Sequence, residues 1–223
     1  LIIKISQGEI PMDVKSKAYQ ELLKKRPLNV QARFGDTEMG LVSGRDIAAA
    51  AREVDSIVLA ANARHPLVIK AVLQAAKKKN AAVLIELAKS ESTYCGATYD
   101  NISEYALKYS EEMGHGAVFG LHVDHYAIKG WADVLKGVGH LTKILDDYDN
   151  FAATRALADW LPSELGLEVE VGEIKGPGEL STVEEALYYI GGLNAWQIFP
   201  DYLAISNGSL HGTYDPTAGQ MEG

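Results

Sequence analysis

An α/β fold built on a parallel sheet is what this chain predicts, on three observations. Short apolar runs alternate along the sequence with longer segments of helical spacing. Those runs rarely interleave polar residues, as strands covered on both faces do not, and capping residues stand at the helix boundaries. In chain order, strands are expected at residues 56–60, 82–88, 117–123, 167–171 and 202–206. Helices are expected near 45–52, 66–79, 101–113, 132–145, 151–161 and 183–190. Gly114, Gly166 and Gly191-Gly192 follow helical stretches and suit C-terminal caps, while Ser181 or Thr182 with Glu184 or Glu185 suits a capped helix start. The alternating charges around residues 15–26 read as a solvated helix face.

Composition agrees with one globular unit. The chain has 223 residues, 47% hydrophobic and 23% charged, enough to bury a sizeable core. Its formal charge of −9, from 21 basic and 30 acidic side chains, argues against a nucleic-acid partner, and no long basic patch with interleaved aromatics occurs. An anionic small molecule would need only a local positive site. Cys95 is the single cysteine, so no internal disulfide can form, and a reducing cytoplasm is the expected location. No apolar run approaches the roughly 20 residues of a membrane span. Leu1-Ile2-Ile3 is too short for the core of a signal peptide.

Two histidine segments carry the chemistry. The first, Leu121-His122-Val123-Asp124-His125-Tyr126, follows the apolar run Ala117-Val118-Phe119-Gly120-Leu121. The second, Gly208-Ser209-Leu210-His211-Gly212-Thr213-Tyr214, follows Tyr202-Leu203-Ala204-Ile205-Ser206. A histidine that ends a buried parallel strand stands at the rim where ligands bind and where imidazoles from distant strands can share one metal.

Together these segments resemble the class II, metal-dependent fructose-bisphosphate aldolases. The first matches the family's His-x-Asp-His signature and the second its Gly-x-x-His-Gly-x-Tyr signature, in the same order and at strand ends. Leu167-Glu168-Val169-Glu170-Val171-Gly172 resembles the family's Glu-x-Glu-x-Gly strand, and residues 61–86 resemble its first strand, helix and second strand. The resemblance covers residues 56–216 and implies a (β/α)8 TIM barrel. Residues 1–55 are then an N-terminal extension packed on the barrel, and 56–223 a partial barrel domain. It further implies a homo-oligomeric, cytoplasmic enzyme with a divalent metal, zinc first among candidates, and a monovalent cation as a further one. The implied substrate is a ketose phosphate, fructose 1,6-bisphosphate first, cleaved to dihydroxyacetone phosphate and glyceraldehyde 3-phosphate, with neither nucleic acid nor membrane as partner.

The resemblance also assigns roles. His125 and His211 are the implied metal ligands, with a third histidine expected beyond Gly223, and Glu170 either supports a ligand or serves as an alternative one. Breaking the C3–C4 bond leaves an enediolate whose charge such a cation can hold. Asp124 is the candidate shuttle for the C4 hydroxyl proton, and His122 a hydrogen-bonding support. The proton at the enediolate carbon falls to Glu179, with Glu173 the alternative. Gly212 offers close backbone approach to a phosphate or cation, and Asn62 stands where the family carries an asparagine near substrate.

Four departures bear on this assignment. Asp146-Asp147-Tyr148-Asp149 is too short for the strand and aspartate the family has there, the Gly176-Pro177-Gly178-Glu179 turn is short for its catalytic loop, and its phosphate loop has no counterpart by Gly223. We read these as segments absent from the numbering rather than as true loss, which would leave open barrel edges. Glu86 and Ala88 fall where many relatives carry glutamine and serine, which removes a hydroxyl and adds a negative charge near substrate. A hydrolase using a metal-activated water on the same scaffold and a noncatalytic binding barrel are the competing expectations.

Overall fold

The structure is a computed structural model that describes residues 13–125, 143–145, 164–171 and 180–206. Its elements are α1 (Lys17–Lys24), α2 (Leu28–Phe34), β1 (Gly40–Leu41), α3 (Gly44–Glu53), β2 (Leu59–Asn62), α4 (Pro66–Lys79) and β3 (Ala82–Ala88). A 3₁₀ turn at Glu91–Thr93 leads to α5 (Ile102–Glu112), β4 (Val118–Asp124), β5 (Lys143–Leu145), β6 (Leu167–Val171), α6 (Val183–Ala195) and β7 (Tyr202–Ile205). Two parallel sheets result, ordered β1-β4-β3-β2 and β5-β6-β7, with β5 lying against β4. Parallel strands joined through helices are what the alternating pattern predicts.

The helix ends follow from local chemistry. Pro66 opens α4, where its missing N–H costs nothing, and the His65 ring accepts the Leu67 N–H. Asn80 ends the helix in the left-handed region at φ 50°. At α6, Thr182 accepts from the Glu185 N–H while the Glu185 carboxylate accepts from the Thr182 N–H, a complete capping box.

Strand alternation then divides β3 and β4 into two faces. Val83, Ile85, Leu87, Phe119 and Leu121 pack outward with Ile69 and Leu73 of α4 and with Ala106 and Tyr109 of α5. The opposite face is apolar at its lower, N-terminal end, where Leu84 and Val118 pack with Ile47 of α3 and with Tyr19 and Leu22 of α1. Gly120 lets this face pack closely: a Cβ would stand 2.9 Å from Leu84 Cδ2 and 3.5 Å from both the Gly44 nitrogen and Ile47 Cδ1. The upper, C-terminal end of this face carries Glu86, His122 and Asp124, since Glu86 registers with His122 and Ala88 with Asp124.

Several sequence expectations need correction. Residues 143–145, expected to end a helix, form β5, because parallel pairing with Leu167–Val169 overrides the local helical spacing. The strand expected to be lacking between β4 and β6 is thus represented, although by three residues. Strand β2 runs Leu59–Asn62 rather than 56–60, since its register is set by Val83–Glu86, and Ile57 is left 95% exposed. Gly191-Gly192 does not cap a helix but lies inside α6, which continues to Ala195.

Residues 15–26 are more than a solvated face. Tyr19 and Leu22 are buried, and the buried Arg26 guanidinium donates to the carbonyls of Leu23, Phe34, Gly35, Thr37 and Met39. Burial lowers the Arg26 pKa. The short elements α2 and β1 were not expected at all. Residues 132–142 and 151–161, read as helical, lie outside the described residues.

Candidate active site

The upper ends of β2, β3, β4 and β6 bring one polar cluster together. Asn62, Glu86 and His122 form a row across three strands through the register Asn62 to Glu86 to His122. Glu168 joins that row from the second sheet, with its Oε2 3.1 Å from His122 Nε2, while Glu86 Oε2 stands 3.5 Å from His122 Nδ1. The imidazole is 5% exposed and stacks on the Tyr202 ring, with centroids 6.4 Å apart. Its carboxylate contacts are charge contacts and not aligned hydrogen bonds. Burial alone would lower the His122 pKa, but Glu168 and Glu86 together outweigh it and push the pKa up to about 9.

One turn of the pleat higher lies a second row. Glu170 Oε2 stands 3.3 Å from His125 Nδ1, and His125 Nε2 is 3.7 Å from Asp124 Oδ1. His125 has φ 45°, a left-handed conformation that β4 adopts on leaving the sheet and that a non-glycine residue holds only under local constraint. Glu170 is 3% exposed, and its Oε2 is buried without a hydrogen bond. Burial raises the Asp124 pKa, with the Glu86 charge adding to the rise and His125 opposing it.

Sequence reasoning placed Asp124, His125, Glu170 and Asn62 in the site, and all four stand at this end of the sheets. Asn62 Oδ1 is buried without a hydrogen-bond partner, next to Glu86 in the register. Glu179, Glu173, His211 and Gly212 lie outside the described residues. Glu168 and the contact role of Glu86 were missed. Glu168 had a signal, since it precedes Glu170 by the strand period of two as His122 precedes Asp124.

A third feature was also missed. Glu91, 5% exposed, accepts the Ala88 N–H through Oε2 at 3.2 Å, and its Oε1 stands 2.5 Å from Arg64 Nε. This pair ties the turn after β3 to the end of β2 and brings a positive side chain to the rim.

Whether a divalent cation fits can be tested on the donors. Ligands on one tetrahedral zinc, each bonded at about 2.0–2.1 Å, stand about 3.3–3.4 Å apart. The separation of His125 Nδ1 and Glu170 Oε2 is 3.3 Å, and one imidazole nitrogen with one carboxylate oxygen is a donor pair such an ion accepts. Among the described residues no group of three or more His, Cys, Asp or Glu converges as a metal cluster. The donors present fit the ion, with His211 the implied further ligand.

A parallel β/α fold that gathers histidines and carboxylates at its strand C-termini carries them at the end where such folds bind ligands. The family model described as fructose-bisphosphate aldolase class-II matches residues 42–222, and the chain belongs to that family. Fructose-bisphosphate aldolase of Streptococcus pyogenes serotype M1 is 27% identical over 189 residues, covering 79% of this chain and 62% of that protein. Its counterpart in Streptococcus pneumoniae serotype 4 is 25% identical over the same shares. The chain therefore spans about 62% of the length of the curated relatives it matches.

Solved structures agree on the fold. The crystal structure of fructose-bisphosphate aldolase from Campylobacter jejuni superposes with TM-score 0.57 at 21% identity, covering 80% of this chain and 61% of that one. The YdjI aldolase from Escherichia coli K12 gives 0.58 at 16% identity, covering 77% and 64%. Among the described residues no helix is long and apolar enough to cross a membrane.

Proposed function

We propose that this chain is a metal-dependent aldolase that reversibly cleaves a ketose phosphate, fructose 1,6-bisphosphate first among candidates, to dihydroxyacetone phosphate and glyceraldehyde 3-phosphate. The observation that carries this reading is the 3.3 Å approach of His125 to Glu170 beside the half-buried Asp124. A divalent cation at that pair, zinc on this reading, supplies Lewis acidity to the negative charge that develops as the carbon–carbon bond breaks.

His125 and Glu170 would hold the ion, with His211 a further ligand on the same reading. Asp124 takes the C4 hydroxyl proton as the C3–C4 bond breaks and returns it in condensation. Burial raises its pKa, which favours its holding the proton it takes until it returns it. Glu179 handles the proton at the carbon left behind. Asn62 offers its buried, unpartnered oxygen to a substrate hydroxyl. Gly212 admits phosphate or a monovalent cation to the backbone. On this reading the enzyme works in the cytoplasm as a homo-oligomer.

Glu86 and Ala88 put no hydroxyl donor at the end of β3, which supports testing ketose phosphates other than the bisphosphate as well. The experiment is a zinc-replete assay of triose-phosphate release from several ketose phosphates, with and without chelator. Chelator-sensitive release from at least one is expected. Release that persists after chelation, or ester hydrolysis without any aldol cleavage, would overturn the proposal.

A further inference from the structure

We infer that His122 is a positioning residue: by gripping Glu168 it ties β6 to β4 and thereby holds Glu170 against His125. This rests on the metal reading above and adds a device that acts on the metal pair from one row below.

The argument is geometric. Strands β4 and β6 belong to different sheets and share no backbone ladder, and the strand beside β6 between them has three residues. The height of Glu170 relative to His125 therefore depends on side chains that cross from one sheet to the other. Among the described residues, His125 to Glu170 at 3.3 Å and His122 to Glu168 at 3.1 Å make that crossing at this end. Glu168 and Glu170 are two residues apart on one strand and share a face, so fixing the first fixes the backbone that carries the second.

The ring of His122 suits this work because it cannot turn away. It is 5% exposed, Glu86 stands at its other nitrogen at 3.5 Å, and Tyr202 of β7 lies against its face. One imidazole thus touches β3, β6 and β7. Carboxylate oxygens stand 3.5 and 3.1 Å from its two nitrogens, so the ring spans the two sheets as a crosspiece.

The test uses the intact protein and two readouts. In the first, zinc affinity is measured by competition with a chromophoric chelator for wild type, Glu168→Ala, Glu168→Gln, Glu170→Gln and the double variant Glu168→Ala/Glu170→Gln. Glu168→Ala should weaken zinc binding about 10- to 100-fold, the usual cost of losing a residue that orients a ligand. Glu168→Gln, which keeps an oxygen for His122, should recover most of it. In the Glu170→Gln background, Glu168→Ala should cost nothing further. Unchanged affinity in Glu168→Ala, or an equal loss in both backgrounds, would overturn the inference by showing no action through Glu170.

The second readout needs no metal. In metal-free crystals of Glu168→Ala the separation of His125 Nδ1 from Glu170 Oε2 should open well beyond its 3.3 Å, and an unchanged separation would overturn the inference. A wild type that binds no zinc would count against the proposed function alone, and the metal-free separation would still decide the role of His122.

Discussion

The two ends of this molecule both bridge its two sheets, but they do so with different chemistry. At the lower end Arg45 of α3 places its Nε 2.9 and 3.1 Å from the two carboxylate oxygens of Asp201 at the start of β7. Asp201 also accepts the Leu167 N–H at 3.0 Å, and the Tyr202 hydroxyl donates to the Gly44 carbonyl. Tyr19, fully buried nearby, donates to the Glu38 carbonyl and accepts the Gly116 N–H. Burial pushes its pKa up to about 12, so it stays a neutral hydroxyl. At the upper end the bridging groups are His122 with Glu86 and Glu168, and His125 with Glu170. There His122 Nδ1 and Nε2, Glu170 Oε2 and Asn62 Oδ1 are buried without aligned hydrogen bonds.

Buried polar atoms are nearly always satisfied where stability alone is at stake. At the lower end Arg45, Asp201, Tyr202 and Tyr19 all find partners and read as structure, while His115 Nδ1 and Ser110 Oγ beside the start of β4 are buried without one. The upper end departs from that rule at four atoms together, His122 Nδ1 and Nε2, Glu170 Oε2 and Asn62 Oδ1, where four carboxylates crowd two imidazoles. On the proposed reading, these atoms at the C-terminal ends of parallel strands are kept for a ligand.

This contrast can be broken first at Asp124. Asp124→Asn should lower turnover by about 10²–10⁴-fold, the span for a lost acid/base group, while leaving bound zinc unchanged. Loss of metal with unchanged activity per remaining ion would move Asp124 into the ligand shell.

The next effect is on the pH dependence of stability. His122 has its pKa pushed up to about 9, so the folded protein holds that proton more tightly than the unfolded chain does. The resulting stabilisation is fully present below the ordinary imidazole value of about 6.5 and disappears as pH rises through about 9. Urea unfolding from about pH 6 to about pH 10 should therefore lose on the order of a few kcal/mol along the upper limb, and His122→Gln should flatten that limb. Identical profiles in the two proteins would show that His122 does not carry this charge.

At the lower end Asp201→Ala should cost about 1–3 kcal/mol, because it strands the Leu167 N–H and removes the carboxylate that Arg45 reaches across the sheets. Activity per folded molecule should hold. A specific loss of turnover without loss of stability would erase the distinction between the ends. The smallest effect should come from Thr182→Ala, which removes the cap of α6 at about 1 kcal/mol and leaves zinc affinity alone. Thermal unfolding midpoints check both.

How much of this was legible in the sequence depended on whether a signal was local. Helix α4 and strands β3 and β6 lie at the expected residues, because a proline-led helix and compact apolar runs carry their own boundaries. Strand β1, two residues long, and β5, three residues long, exist only through pairing with β4 and β6, and no local pattern announces them. Strand β2 was displaced for the same reason, since its partner and not its own apolar run fixes its register.

The site divides in the same way. His122, Asp124 and His125 were read from one motif on one strand. The partners Glu86 and Glu168 come from two other strands, and only the fold sets them 3.5 and 3.1 Å from one ring. The Arg64 and Glu91 pair likewise joins the ends of two strands through a turn with no sequence signature.

The central claim is that His125 and Glu170 are ligands of one divalent ion. It is tested most directly by diffraction from zinc-soaked crystals at wavelengths on either side of the zinc absorption edge. The account predicts a single strong anomalous peak about 2.0–2.2 Å from one His125 ring nitrogen and from a Glu170 carboxylate oxygen. A crystal that takes up zinc but places it away from both side chains, or that shows no peak at this end of the sheets, would contradict it.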